Sequence, residues 1–479
     1  MLSRSLVFLA LCFSAPFLVA KKPQPLLPGG EATTFVTGQH AFGQPSAKMS
    51  KLRQLDFSVG NSFFRNPWVL SPATTTARDG LGPFFNTNGC QNCHVNDGRG
   101  HPPEFNDINA VSLLVRLSIP ATADNQHLLL TQGVIPEPNY GGQLQDFAHP
   151  SAKPEGQVTI HYEEFPVTFA DGEVIFLRRP EVFIDQLNYG PLHPETQMSV
   201  RIAPPMIGLG LLEAIAEKDI LKLADPMDKN GDGISGRPNQ VWDVEKKQTV
   251  LGRFGWKAGQ PNLMQQNAAA FNGDLGLTSS LFPAENCSPA QSATVCLRYP
   301  NGGYPEVPDK VLKFVEFYTQ NLGVPARTLQ QANAVTTNGK TGKIEVAKIK
   351  KGESLFAQLN CAGCHVPSFK TRKLKKQPEQ SKQWIFPYTD LLLHDMGEGL
   401  ADHRPEFIAT GREWRTPPLW GIGKTEMVTG HTYFLHDGRA RNLTEAILWH
   451  GGEAEAAKQA FMALTKTDRE AVITFLQSL

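Results

Sequence analysis

Two copies of one short pattern, Cys-x-x-Cys-His, constrain this 479-residue chain more than any other feature. They span residues 90–94 and 361–365. Two thiols three positions apart can bond both vinyl groups of one haem, and the adjoining histidine can then point its imidazole at the iron. A zinc site would place two Cys-x-x-Cys pairs roughly 15–20 residues apart, and a thioredoxin-like redox pair would not need the histidine. The sequence therefore predicts two covalent haem c groups, with thioether bonds from Cys90, Cys93, Cys361 and Cys364 and proximal iron ligands His94 and His365.

The charge balance and the distribution of apolar residues exclude two classes of protein. Lys plus Arg and Asp plus Glu are both 46, so the formal net charge is zero. This balance argues against broad nucleic-acid binding, because such binding needs a basic excess on one face. After the N-terminal segment, no stretch reaches the ~18 consecutive apolar residues of a transmembrane helix. We therefore expect no nucleic-acid partner and no membrane span.

The N-terminal segment, residues 1–20, has the pattern of a secretory signal peptide. Arg4 gives a charged start, a short apolar run follows at 6–13, and Ala20 precedes two lysines. A membrane anchor is the alternative, but Ser14 interrupts the run before it is long enough to span a bilayer. We therefore expect the mature protein to be exported to the periplasm.

Two cysteines remain outside the repeated motifs and the signal segment. Cys287 and Cys296 lie close together in a Pro/Ser-rich stretch at 283–300. An oxidising compartment favours a loop disulfide between them, and a free pair of thiols is the alternative.

An internal repeat indicates two haem-binding units. Residues 201–210, RIAPPMIGLG, match residues 415–423, RTPPLWGIG, and each copy follows one of the Cys-x-x-Cys-His motifs. The interval between motif and repeat is longer in the first half, and the surplus contains segments typical of β-strands. These segments are 158–162, 167–169 and 173–177, and they flank the hairpin turn signal Asp171-Gly172.

The predicted fold class is mainly α, with two cytochrome c-like haem domains of which the first carries a β-rich insertion. In the second domain, the apolar face of residues 355–359 predicts a helix that leads into Cys361, and Thr467 with Glu470 predicts the start of a C-terminal helix. The predicted boundaries are a signal peptide at 1–20, an N-terminal haem domain at 21–325 with its insertion at about 110–180, a linker at 326–349 and a C-terminal domain at 350–479.

One further motif is independent of haem. Asp228, Asn230 and Asp232, followed by Gly233, have the ligand spacing of a calcium-binding loop. The twelfth position holds Asn239 instead of the Glu of an EF-hand. Calcium is therefore a predicted second cofactor, and a plain Asp/Asn/Gly turn is the alternative.

Several stretches across the mature chain carry a family resemblance. The chain resembles the di-haem c-type oxidoreductases described as peroxidases or "thiol oxidoreductase-like" proteins. More distantly it is similar to bacterial di-haem cytochrome c peroxidases and to the related di-haem enzyme that matures a tryptophan-derived cofactor. The "thiol" label has no support here, because every mature cysteine already has a use. The matching stretches are 80–86, 97–100, 253–259, 394–397 and 436–441.

The resemblance implies a distal ligand for the second haem. In the peroxidases, a His-Asp/Ser-Gly turn leads into a Leu-x-Glu-Ala helix, and the sixth ligand lies fourteen positions after that histidine. The corresponding turn here starts at His436, and the ligand position holds His450. The peroxidases have Met there and the cofactor-maturing enzyme has Tyr, so this sequence departs from both. Met396 and His394 are rival ligands, and His450 as a plain helix end is the alternative.

The resemblance also implies catalytic residues beside the first haem. The peroxidases place a Trp between the haems, then a Leu-x-x-Gln helix, then an acidic residue beside the open iron. The matching order here is Trp256, Gln266 and Asp274, with Asp one methylene shorter than the family's Glu. Core packing is the alternative role for Trp256. The nearest candidate for the family's regulatory histidine is His101.

The resulting expectation is an exported di-haem peroxidase-like oxidoreductase. Electrons would enter at the second haem from a small cytochrome or cupredoxin, and hydrogen peroxide or another substrate would react at the first. One alternative is a di-haem electron-transfer cytochrome without catalytic chemistry of its own. Another is a haem protein linked to iron uptake.

Overall fold

The computed structural model describes residues 27–103, 111–292, 296–328 and 341–479. The predicted signal peptide lies outside these residues, as do positions 329–340 of the predicted linker. The last part of that linker, from Thr341, forms the first turns of a helix that runs to Gln358. Within the described ranges, no helix combines the length and the apolar character needed to cross a membrane.

The expectation of a mainly α chain is wrong. The described structure is 30% helical with 19% strand, and its strands form six two-stranded sheets distributed along the chain. The β structure is therefore not confined to one insertion in the first half. The short strands were not recognised in the sequence because they have only two to six residues and are held by tertiary contacts, and such short segments show little alternating pattern.

The helices are mostly short, and the longer ones surround the two cysteine motifs. They are α1 (Arg53–Arg65), α2 (Cys90–Cys93), α3 (Leu129–Gln132), α4 (Leu209–Glu213), α5 (Glu217–Leu221), α6 (Leu263–Leu275), α7 (Pro289–Ser292), α8 (Asp309–Asn321), α9 (Thr341–Gln358), α10 (Thr425–Thr429), α11 (Leu443–Leu448), α12 (Glu455–Met462) and α13 (Lys466–Ser478).

All six sheets are antiparallel pairs. The pairs are β1 (Phe84–Phe85) with β3 (Phe147–Ala148), β2 (Leu113–Ser118) with β6 (Gln197–Ile202), β4 (Gln157–Thr168) with β5 (Val174–Asp185), β7 (Gln240–Asp243) with β8 (Gln248–Leu251), β9 (Phe369–Lys370) with β10 (Trp384–Ile385), and β11 (Leu393–Asp395) with β12 (Glu413–Arg415).

Side-chain caps define where the site-forming helices begin. The Asn262 side chain accepts a hydrogen bond from the Gln265 amide at the start of α6, and Asn442 does the same for Glu445 at the start of α11. The C-terminal helix α13 is capped by Thr465, so the predicted cap at Thr467 is two residues too late.

The predicted disulfide between Cys287 and Cys296 is confirmed.

The two predicted domains share one hydrophobic core. A single buried cluster contains Leu117 and Val200, from strands of the first half, together with Phe356 and Phe475, from helices of the second half. A separate cluster with Phe64, among α1, α6 and α8, packs beside the first cysteine motif. The second motif therefore packs against the shared core, and the first motif packs against the separate cluster.

The hairpin of β4 and β5 ties the first half to the C-terminal helices. The predicted turn at Asp171-Gly172 joins the two strands, so the hairpin expectation is confirmed. At its tip, Phe169 packs edge-on against Phe461 with ring centroids 6.2 Å apart, and the Arg469 guanidinium lies 4.0 Å from the Phe169 ring. Arg469 Nη2 also bonds Asp171 Oδ2 at 2.8 Å.

Phe169→Ala should lower the free energy of unfolding by about 3–5 kcal/mol, because it empties a core position 3% exposed between Phe461 and Arg469. Thermal and denaturant unfolding measure the change. Phe176→Ala is the matched control, because Phe176 lies on the same hairpin and is 52% exposed. Equal destabilisation by the two substitutions would contradict the role of the hairpin tip.

Candidate haem sites

In the first Cys-x-x-Cys-His motif, a hydrogen bond to the backbone engages one nitrogen of the histidine ring. Cys90 and Cys93 belong to the single-turn helix α2, and neither forms a disulfide. His94 Nδ1 lies 2.8 Å from the Pro204 carbonyl oxygen. A carbonyl can only accept a hydrogen bond, so Nδ1 donates and Nε2 is left as the basic nitrogen, which is the form of the ring that can bind a metal. Loss of hydration lowers the pKa of His94 to about 4, which keeps the ring neutral.

A cavity of about 630 Å³ adjoins this motif. Its volume lies within the range of cofactor sites. The structure brings six of the residues predicted from the sequence to this one cavity, although they come from three separate parts of the chain. These six residues are Cys90, Cys93, His94, Trp256, Gln266 and Asp274. Thiols, an iron-binding imidazole and a cavity of this size together fit a haem attached through Cys90 and Cys93.

Helix α6 positions both polar candidates of the first site. Gln266 lies in its first turn and Asp274 in its last, and both face the cavity. Gly276 follows with φ of 69°, a left-handed conformation that lets the chain leave the helix directly after Asp274. A Cβ atom at Gly276 would come 2.6 Å from the Phe84 carbonyl oxygen, so this close approach requires glycine.

The Asp274 side chain lines the cavity and is positioned there by a hydrogen bond. Its Oδ1 accepts a hydrogen bond of 3.0 Å from Gln143 Nε2. Loss of hydration raises the pKa of Asp274, although the Arg116 charge and the Gln143 hydrogen bond oppose that rise. A carboxyl group with a raised pKa can give and take a proton nearer neutral pH.

Trp256 is both a packed residue and part of the cavity wall. It is 8% exposed and belongs to the shared core, and its Nε1 donates a hydrogen bond of 2.9 Å to the Ile202 carbonyl oxygen. The Arg99 guanidinium lies 5.6 Å from the ring. The core role and the role beside a cofactor are therefore compatible, because the same ring satisfies both.

In the second motif, the histidine also donates a hydrogen bond through Nδ1, but to a different backbone carbonyl. His365 Nδ1 lies 3.0 Å from the Tyr388 carbonyl oxygen and therefore donates to it. Loss of hydration lowers the pKa of His365 to about 4. Neither Cys361 nor Cys364 forms a disulfide. Free thiols and a neutral imidazole with an available Nε2 are the donor set that haem c attachment requires.

The candidate distal ligands of the second site differ in what their side chains already bind. His450 follows α11, and its Nδ1 donates to the Ala446 carbonyl oxygen at 2.8 Å, which leaves Nε2 as the basic nitrogen. His394 has both nitrogens engaged, with Nε2 at 2.8 Å from Asp390 Oδ2 and Nδ1 at 2.7 Å from Glu453 Oε2. To bind a metal, His394 would have to lose one of these carboxylate contacts.

For two other candidate residues, Met396 and His101, the structure gives fewer contacts that support a role beside a haem. Met396 is half-buried and packs against the shared core. His101 is absent from the residues that line the first cavity. Its Nδ1 lies 2.8 Å from the Pro102 carbonyl oxygen, and its ring lies 5.3 Å from that of His431.

The predicted calcium loop satisfies its own polar groups. Asp228 accepts hydrogen bonds from the Gly233 amide, and Asp232 accepts one from the Ile234 amide. The Asn230 side chain bonds Asp232 through both its amide nitrogen and its oxygen. In the described ranges, no group of three or more His, Cys, Asp or Glu side chains is arranged to hold a metal ion. Calcium binding here stays a prediction, and metal analysis of chelator-treated protein tests it.

Several residues of these sites carry no sequence signal of their own. Gln143 and Arg116 lie far from the motifs in the chain, and β2 and its neighbouring segment bring them beside Asp274. Tyr388 orients His365 through a backbone carbonyl, which any residue type could supply. Pro204 could have been found, because it belongs to the repeat at 201–210.

The comparison with known families agrees with this arrangement. A family model described as "Di-haem oxidoreductase, putative peroxidase" matches residues 26–479. No curated protein matched the chain. The match covers nearly all of the chain, including both cysteine motifs and the residues around the first cavity. The chain therefore belongs to this family of di-haem oxidoreductases.

Proposed function

We propose that this oxidoreductase is an exported, peroxidase-like enzyme with two covalently attached haem c groups. The observation that supports it most is the first cavity, where two thiols, a neutral histidine, the Asp274 carboxyl group and the Gln266 amide side chain meet. The second motif would be the entry point for electrons from a small cytochrome or cupredoxin. Export would follow from the signal peptide at 1–20.

Each residue of the first site has a separate task. Haem bound there would supply the redox-active iron. His94 would hold that iron through Nε2, in an orientation set by the Pro204 carbonyl. Peroxide cleavage needs a group that moves a proton between the two peroxide oxygens, and Asp274 is suited to this because its pKa is raised. Gln266 would orient the oxygens by hydrogen bonding, and Trp256 would carry electrons from the second site.

The second site would hold its haem between two histidines. His365 and His450 each use Nδ1 to donate to a backbone carbonyl and leave Nε2 for the iron. His394 is disfavoured as the ligand because two carboxylates already bind it. Bis-histidine coordination favours a lower potential than His/Met coordination, which suits a site that passes electrons onward.

Intact mass and the ferric spectrum test the whole proposal. We expect a mass two haems above that of the polypeptide starting after residue 20, and a high-spin band from an open iron at the first site. One haem or none would overturn the di-haem assignment. Two low-spin haems, together with no peroxide turnover when the second haem is reduced, would instead favour a plain electron carrier.

Substitutions of His450 test the second site. His450→Met should raise the potential of the second haem and keep its low-spin spectrum, because methionine stabilises the reduced iron. His450→Ala should create an additional high-spin iron. His127 is a matched control, because its Nδ1 also lies beside a local carbonyl, that of Asp124 at 3.1 Å, but on the exposed surface. Unchanged spectra in both His450 variants would return this residue to a helix-end role and leave Met396 as the rival.

Asp274→Asn should slow peroxide turnover by about 10²–10⁴-fold, the usual contribution of general acid–base catalysis, without loss of haem. Steady-state kinetics with peroxide and a reduced donor measure the effect, and the pyridine haemochrome spectrum reports haem content. Asp243→Asn is the control, because Asp243 is a buried carboxylate that does not line the cavity. Normal turnover in Asp274→Asn would remove Asp274 from the reaction.

A further inference from the structure

Three arginines with an excess of unused hydrogen-bond donors line the first cavity. Arg116 comes from β2, Arg201 from β6 and Arg404 from the segment before β12. We call these three residues the arginine cluster. Arg201 and Arg404 are 8% and 3% exposed, so the protein removes their charges almost entirely from water. Such burial is unfavourable unless the charged groups find partners.

Glu406 is the carboxylate that contacts the cluster at short range, whereas Asp402 Oδ2 lies 4.0 Å from Arg201 Nη2, beyond hydrogen-bond distance. Glu406 Oε2 lies 2.8 Å from Arg201 Nη1 and 3.3 Å from Arg404 Nη1, so two guanidinium groups share one oxygen. Loss of hydration would raise the pKa of Glu406, but Arg201, Arg404 and Arg116 lower it to about 2. The nearby Asp402 is engaged by Lys257, whose Nζ lies 2.8 Å from Asp402 Oδ1.

Donors of the cluster remain without acceptors. Arg201 Nη2 and Arg404 Nε are buried atoms with no hydrogen-bond partner among the described residues. Arg116 likewise makes no side-chain hydrogen bond or ion pair in the described part of the chain, although it faces the cavity. A buried N–H group without an acceptor destabilises the folded protein, because it has lost its hydrogen bond to water. The arrangement therefore calls for an anionic ligand inside the cavity.

We propose that the arginine cluster is a carboxylate-binding site that holds the propionates of the first haem. This inference rests on the proposed attachment of that haem through Cys90 and Cys93. Guanidinium groups bind carboxylates through paired N–H donors, which is the geometry that Arg116 and the free atoms of Arg201 and Arg404 can offer. The haem carries its two propionates on the edge of the ring away from the vinyl groups, so a cationic group on the protein can hold the edge that the thioether bonds leave free.

Such an anchor has a measurable electrostatic effect. A cation near the iron favours the reduced haem, because reduction removes one positive charge from the site. The same cation favours the ionised propionate and so lowers its pKa. The arginine cluster should therefore raise the potential of the first haem and move its pH dependence to lower pH.

Potentiometry of the Arg116→Gln holoprotein tests this inference. We expect a lower midpoint potential for the first haem, an inflection in its pH dependence at higher pH than in the wild type, and an unchanged second haem. Arg116→Lys, which keeps the charge, should recover most of the midpoint potential. Arg179→Gln is the control, because Arg179 is an exposed arginine of the β4–β5 hairpin that pairs with Glu163 and does not line the cavity.

The other source of a carboxylate is a substrate from solution, and sodium benzoate serves as its probe. Saturable perturbation of the first haem spectrum by benzoate in the wild type, lost in Arg116→Gln without any change in potential, would overturn the propionate assignment. A midpoint potential and pH profile identical to those of the wild type would also overturn it. Peptide mapping of haem at Cys90 and Cys93 separates these outcomes from failure of the proposed function, because a missing haem there would overturn both.

Discussion

The hydrogen bond from His94 Nδ1 to the Pro204 carbonyl is the contact on which the first site depends. It fixes the tautomer of the histidine and sets the direction of the nitrogen left for iron. Pro204 lies just beyond β6, which also carries Arg201 into the cavity. One short strand therefore positions both the carbonyl that orients His94 and an arginine of the same pocket. A shift of β6 would disturb both.

The end of β6 also connects the first cavity with the second half of the chain. The Ile202 carbonyl accepts the Trp256 Nε1 hydrogen, and the Ile202 amide donates to the His436 carbonyl at 2.7 Å. The His436 ring stacks on Trp414 with centroids 3.7 Å apart and planes inclined by 12°. Trp256 and Trp414 are both members of the core that the two halves share. Packed aromatic rings and short hydrogen bonds therefore form a continuous link from the first cavity into the second half.

The sequence predicted best those features that depend on residues close together in the chain. The disulfide and the β4–β5 hairpin depend on spacing or on alternation within a few residues, and the structure confirms both. The family comparison supports the expectation of two haems, and attachment through the cysteine motifs stays a prediction. The prediction of a mainly α fold was wrong because most strands have only two to six residues. Each of these short strands is held in place by pairing with another segment of the chain. Thr467 failed as a helix cap because a threonine two residues earlier, Thr465, makes the capping bond instead.

The sequence by itself determined which reactive side chains are present: two Cys-x-x-Cys-His motifs, an acidic residue and a glutamine at helical spacing on α6, and a histidine after α11. Only the tertiary structure decided which of these share a cavity and what each one binds. His394 and His450 are the same residue type in the sequence, but their surroundings differ. Carboxylates contact both ring nitrogens of His394, whereas His450 uses one nitrogen to donate to a backbone carbonyl. Arg116 has no motif at all, and it stands out only because folding buries positive charge beside a cavity with too few acceptors. Burial and partner geometry depend on contacts between residues far apart in the chain, so local sequence patterns cannot contain them.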